Sequence, residues 1–226
     1  MEDSQHGFDL LKAGDAEGFR QLLEQTPTSS EANDPSGVSL LMHCIYRGRL
    51  DLAELVASKR RALDIFEAAS LGRTDRLNEL ISDASVVNSY SANSYSKDGF
   101  TALHFACFFG QPKAAKVLID KGTAVDAVAT NATKVMPLHS AASARNLEAA
   151  RLLLEHGAPV NARQQGGWAP IHAAAQNGDR PMVELLLKYG ADTTLTNDQG
   201  KTPSAVAREK GHEEIAALLD RETQRL

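Results

Sequence analysis

One phrase recurs along this 226-residue chain, and it constrains the fold more than any other feature. A short polar turn leads into Thr-Pro-Leu-His or a variant, then a pair of small residues, a glycine and a Leu-rich stretch. The phrase reads Thr101-Ala102-Leu103-His104 with Gly110 and Val117-Leu118-Ile119, and then Met136-Pro137-Leu138-His139 with Leu152-Leu153-Leu154. It returns as Ala169-Pro170-Ile171-His172 with Gly178 and Leu185-Leu186-Leu187, and last as Thr202-Pro203-Ser204-Ala205 with Gly211 and Ile215. The mid-phrase glycine position falls at Gly14, Gly48, Gly72, Gly110, Arg145, Gly178 and Gly211, at intervals of 34, 24, 38, 35, 33 and 33 residues. Self-similarity at such a period marks a repeat architecture, in which one unit cannot bury its own apolar face and stacked neighbours supply the core.

Each position in the phrase has a physical reason. Pro137, Pro170 and Pro203 suit the first turn of a helix, where the missing N–H would have been unpaired anyway. The pairs Ala141-Ala142 and Ala174-Ala175 let that helix sit close to its neighbours. The glycine just past it supplies a left-handed cap. Arg145 breaks the glycine rule, so that helix end either strains or closes by another cap. The Leu triplets face their own unit and the next.

This wording and period resemble the ankyrin repeat, a β-turn followed by two antiparallel helices. The resemblance covers nearly the whole chain and is most specific in the four C-terminal units. It implies an all-α solenoid of about seven helix-turn-helix repeats, with short β-turn fingers and a concave groove. On this reading residues 1–226 form one domain. It runs as an N-terminal cap repeat (1–35), repeats at 36–61, 62–97, 98–131, 132–165 and 166–197, and a C-terminal cap (198–226). The charges Arg208-Glu209-Lys210, Glu213-Glu214 and Asp220-Arg221-Glu222 suit a helix pair without a successor. The Ala-rich wording, short fingers and lack of an attached domain look like the stand-alone ankyrin-repeat proteins of bacteria.

Two intervals depart from the period. The interval of 24 between Gly48 and Gly72 leaves no room for a finger, so the 56–63 stretch joins helix to helix directly. The interval of 38 between Gly72 and Gly110 places its surplus in a Ser/Asn/Tyr-rich loop at 88–97, a composition that favours turns. An idealised engineered array would hold its period.

Composition narrows the function. The net charge is −5, and no basic run exceeds Lys59-Arg60-Arg61, which argues against a nucleic-acid partner. No apolar run approaches the ~20 residues needed to cross a bilayer, and the N-terminus lacks the pattern of a signal peptide. Cys44 and Cys107 lie far apart without metal-ligand spacing and read as buried free thiols in a reducing compartment. A cytoplasmic monomer that engages neither membrane nor nucleic acid is therefore expected.

A search for chemistry finds none. His104, His139 and His172 recur at one position, and a cause repeated in every unit is architectural; the resemblance implies that the ring bonds backbone in the turn region. His43, His156 and His212 stand alone. Asp126 and Asp192 fall in the turn after the second helix, where turn bonding explains them. No nucleophile elbow, phosphate loop, HExxH or Cys–His pair occurs, so no catalytic residue, cofactor or metal is expected.

In ankyrin-repeat proteins the fingers and the exposed side of the inner helices line the groove. Carried over by register, the groove positions include Phe100, Val135, Trp168 and Lys201 after the finger turns. At the inner-helix ends they include Tyr46, Arg47, Phe108, Phe109, Gln176 and Asn177. Phe105 belongs to the core. Two readings of Phe108 and Phe109 stand side by side: they are offered to a partner, or they pack beneath the 88–97 loop. The function this implies is non-catalytic protein–protein interaction, with a partner protein or peptide held in the groove. The alternative is a dedicated regulatory or inhibitory subunit of one enzyme.

Overall fold

The computed structural model describes residues 2–82 and 93–225. The described residues are all-helical, with α-helices joined by turns and isolated bridges. They comprise α1 (Glu2–Ala13), α2 (Ala16–Gln25), α3 (Leu40–Tyr46), α4 (Leu50–Lys59), α5 (Ile65–Ser70), α6 (Thr74–Ser82) and α7 (Ala102–Phe108). Then follow α8 (Pro112–Asp120), α9 (Pro137–Ser143), α10 (Leu147–Glu155), α11 (Pro170–Gln176), α12 (Arg180–Lys188), α13 (Pro203–Glu209) and α14 (Glu213–Thr223). The fold class expected from the repeat is the one observed. The chain divides into two compact units, and the boundary between Ala68 and Ala69 falls inside α5.

In the first unit α1 packs on α2 and α3, and α2 packs on α4. Their core is Leu11, Phe19, Leu23, Leu40, Leu41, Leu52 and Val56, all buried. Its single finger closes where Asn33 bridges Ser39. Asp34 organises that turn by accepting from the Ser36 hydroxyl at 2.6 Å and from the Val38 N–H at 3.0 Å, and it lies 2.8 Å from His43 Nε2. Burial opposes its charge, but the bonds from Ser36, His43 and Val38 outweigh it and hold the carboxyl at about 2.

No finger projects between α4 and α5, and a polar network takes its place. Arg60 donates to the carbonyl of Ser30 at 2.7 Å, and its other terminal nitrogen lies 3.4 Å from both Glu31 and Glu67. Glu67 is fully buried and accepts the Ser39 hydroxyl at 2.6 Å. Asp64 and Glu67 form a reciprocal cap at the start of α5. The Asp64 carboxylate takes the Glu67 N–H at 2.8 Å, and Glu67 takes the Asp64 N–H at 3.1 Å. Burial, reinforced by the charge of Asp64, pushes the Glu67 carboxyl above the usual range. The Gly48–Gly72 interval betrays the missing finger, but not the salt-bridged plug that fills its place.

The second unit is a layered stack. Helices α7, α9, α11 and α13 pack in succession as one row, and α6, α8, α10 and α12 as another. Ala141, Ala142, Ala174 and Ala175 are fully buried where the inner helices meet, and Leu118, Leu153 and Leu186 fill the second row without exposure. Each finger closes on itself: Ser96 N–H to Phe100, Ala129 to Val135, Gln164 to Trp168 and Asn197 to Lys201. Neighbouring fingers are laced by Thr130 N–H to the Gly99 carbonyl (3.0 Å), Gln165 to Thr133 (2.9 Å) and Asp198 to Gly166 (2.9 Å).

The recurrent histidines tie each helix start to the following finger. His104 accepts the Thr101 N–H on Nδ1 at 3.2 Å, and its Nε2 meets the Val135 carbonyl at 3.1 Å. His139 meets the carbonyl of Ala162 at 3.0 Å and that of Trp168 at 3.3 Å, and His172 meets that of Lys201 at 3.2 Å. One ring nitrogen accepts while the other donates, which requires the neutral imidazole.

Of the 88–97 loop expected from sequence, residues 88–92 lie outside the described residues. The remainder belongs to the next finger, since Tyr95 bridges Thr101. At Arg145 the backbone strains rather than recapping: its φ is 58°, in the left-handed region that the glycines occupy at this position elsewhere. Lys134, with φ 53°, does the same at the finger turn where Gly99, Gly167 and Gly200 stand in other repeats.

Candidate partner-binding surface

The aromatic residues singled out in the fourth repeat form a continuous row in the second unit. The Phe100 ring meets Phe105 edge-on at 5.7 Å, Phe105 stacks on Phe109 at 6.2 Å, and Phe109 meets Phe108 edge-on at 5.2 Å. Phe105 is buried at 4% exposure, whereas Phe108 is 51% exposed and Phe100 and Phe109 are half-buried. The row thus runs from core to solvent. It exists because α7 carries aromatics on its last turn and the finger before it closes by the Ser96–Phe100 bond.

The other expected groove residues have varied surroundings. Trp168 is half-buried and tilts over His172 at 5.7 Å. Val135 is half-buried on its finger and offers its carbonyl to His104. Gln176 is exposed at the end of α11, and its carbonyl lies 3.2 Å from His212 Nε2. Asn177 donates its side-chain amide to the carbonyls of Ala142 (3.3 Å) and Ser143 (3.1 Å), and its own carbonyl accepts the Arg145 guanidinium, so this residue straps repeats together. Lys201 pairs with Glu209 at 2.8 Å. In the first unit Tyr46, 42% exposed, lies 6.5 Å from the His43 ring, and Arg47 is exposed beside it.

Sequence reasoning passed over Lys97 and Lys134, the cations at the tips of the two fingers nearest the aromatic row. Both are exposed. Lys134 could have been found by register, because it stands where the other fingers carry glycine.

The two cysteines and the three recurrent histidines are held in uncharged forms. Burial pushes the Cys44 thiol up to about 12 and raises that of Cys107 as well. A thiol so shifted is no nucleophile at neutral pH. Burial lowers His104 to about 4 and lowers His139 and His172 too, while both nitrogens of each ring are occupied by backbone. Among the described residues no helix is long and apolar enough to cross a membrane.

Comparison with known proteins agrees with the repeat. Residues 65–164 match the family described as ankyrin repeats (3 copies), and residues 153–207 match ankyrin repeats (many copies). The chain is 33% identical over 93 residues to the SMC5-SMC6 complex localization factor protein 1 of Bos taurus, covering 41% of this chain and 8% of that protein. The Homo sapiens protein of the same name is 37% identical over 67 residues, covering 30% of this chain and 6% of its own length. The B-cell lymphoma 3 protein homolog of Mus musculus is 32% identical over 115 residues, covering 51% of this chain and 25% of that protein. The chain therefore spans a quarter or less of the length of these relatives. Its stacked helix pairs, laced fingers and matched segments place it together: the chain belongs to the ankyrin-repeat family, whose repeats serve protein–protein interaction.

Proposed function

We propose that this chain is a non-catalytic recognition module acting in the cytoplasm, and that it holds a partner protein or peptide on the fingers and inner-helix ends of the second unit. The carrying observation is Phe108. A phenylalanine that is 51% exposed lies at the open end of a ring row anchored in the core. Large aromatics bury much area at little entropy cost and dominate interface energetics. A rigid base beneath the exposed ring adds preorganisation, since little ordering remains to be done on binding. Trp168 extends the same kind of surface two fingers along. The cytoplasmic assignment draws on the two free, buried cysteines.

The test is a comparison of baits in an extract of the native cell. Wild-type chain is expected to co-purify a partner that the Phe108→Ala/Trp168→Ala double variant loses by more than tenfold, with both baits folded by circular dichroism. A partner retained equally by both would refute the placement.

A further inference from the structure

We propose that the surface around Phe108 takes an acidic segment of its partner: an extended peptide with an aromatic or large aliphatic anchor flanked by carboxylates. This rests on the docking reading above and adds the chemistry of the ligand.

The argument is one of charge. The chain as a whole carries −5, yet on the tips of the two fingers and at the end of α9 three cations, Lys97, Lys134 and Arg145, face one carboxylate, Asp98. Lys97 stands exposed on the finger that supplies Phe100. Lys134 stands exposed on the next finger, its amine meeting the Thr130 carbonyl at 3.4 Å. Among the described residues neither lysine has a carboxylate partner. Arg145 follows the end of α9, which packs on α7; its guanidinium donates to the neutral carbonyl of Asn177, and among the described residues no carboxylate pairs with it.

Of the acids nearby, Asp98 stands beside Lys97 on the first finger tip and keeps its charge, because the bond it makes is to a neutral hydroxyl. Asp98 accepts the Ser96 hydroxyl at 2.5 Å, and its carbonyl accepts the Asn131 amide at 2.8 Å. Further along, Asp198 lies 3.6 Å from Arg163, and Glu209 pairs with Lys201 at 2.8 Å.

The two fingers that carry the lysines are joined through backbone. The Thr130 N–H bonds the Gly99 carbonyl at 3.0 Å, which locks the second finger to the first. Phe100 leads from that same finger through Phe105 and Phe109 to the exposed Phe108. An apolar anchor whose rim carries a surplus of cations is complementary to a peptide with the opposite rim, and such rim charges select partners and speed encounter. Nucleic acid would also answer the cations. A net acidic chain favours protein, and of the two well-exposed rings here Tyr95 is tied through its hydroxyl to the Val128 carbonyl at 3.0 Å, which leaves Phe108 rather than a stacking platform.

The test selects dodecapeptides from a random phage-displayed library on the whole chain, then measures synthetic copies of the enriched sequences by fluorescence anisotropy. The expected winners pair an aromatic or aliphatic residue with two or more Asp or Glu. Their affinity should fall about fivefold or more in Lys97→Glu/Lys134→Glu, weaken with added salt, and fall in Phe108→Ala. Winners that are neutral or basic, or that ignore the charge reversal while still needing Phe108, overturn the acidic-ligand inference and leave the docking reading standing. Winners indifferent to Phe108→Ala, or no enrichment at all, overturn the docking reading itself. A fluorescein-labelled single-stranded oligonucleotide that outcompetes the peptides at equal salt also overturns the inference. Thermal melts of each variant separate lost binding from lost folding.

Discussion

The guanidinium of Arg145 reaches across to the backbone carbonyl of Asn177, from a residue whose own backbone sits in the left-handed region at φ 58°. The strain and the link belong to the same side chain and can be separated by substitution. Left-handed geometry costs a non-glycine residue about 1–2 kcal/mol, partly offset by the flexibility a glycine would bring to the unfolded chain.

Arg145→Ala keeps the strain and loses the link, so it is expected to destabilise the chain by about 1 kcal/mol. Arg145→Gly loses both and should recover about 0.5–1 kcal/mol relative to alanine. Urea unfolding of the three proteins checks the order. Equal midpoints for alanine and glycine would show that no strain is stored there.

The histidine ties make the fold sensitive to acid. Each ring is held neutral, and burial lowers His104 from an ordinary 6.5 to about 4. Below 6.5 the unfolded chain takes up protons that the folded chain refuses, so stability is full above pH 6.5 and is lost as pH falls toward 4. The loss from His104 alone is on the order of 3 kcal/mol. Melting temperature measured from pH 7 to pH 4 should fall through this window, and less steeply in His104→Gln. An identical slope in the variant would contradict the assignment.

Both thiols should be silent in the native chain. With Cys44 at about 12 and Cys107 raised by full burial, neither reacts appreciably with Ellman's reagent at pH 8 until denaturant is added. Rapid labelling of a native thiol would mean that its site opens.

Glu67 stands at the centre of the polar network that replaces a finger. Removing it leaves the Ser39 hydroxyl, the Asp64 N–H and a charge of Arg60 without their acceptor. Glu67→Ala is expected to cost about 3 kcal/mol, and Glu67→Gln less, because the amide oxygen still accepts. Hydrogen exchange of α3 and α4 reads the loss. Unchanged protection in the alanine variant would demote the network to decoration.

Phe105 and Phe108 lie three positions apart on one helix and should behave oppositely. Phe105→Ala empties a buried site and is expected to cost about 3–5 kcal/mol, whereas Phe108→Ala should stay within about 1 kcal/mol. If Phe108→Ala matched the buried residue in denaturant titration, Phe108 would belong to the core rather than to a binding surface.

Much of this molecule was legible in the chain itself. Helix starts at Pro137, Pro170 and Pro203, core Ala and Leu positions, and Phe105 as a core residue could all be read from local chemistry repeated at a fixed period. The period works because each repeat meets the same neighbour in the same way, so a position's burial recurs with its wording. The missing finger before α5 was legible for the same reason, as a shortened interval.

What the period could not encode is what happens where the pattern lapses. Only the folded chain brings Arg60 and Glu67 together, because that pairing depends on how loop and helix close over a gap that has no counterpart elsewhere among the described residues. The same holds for Asn177, which sits in a groove position by register but spends its amide on carbonyls of the preceding repeat. It holds too for Lys134, whose finger is joined to that of Phe100 by the bond between Thr130 and Gly99. Local propensity and burial are properties of a residue and its near neighbours, whereas charge matching and cross-repeat bonding are decided by distances that exist only once the stack has formed.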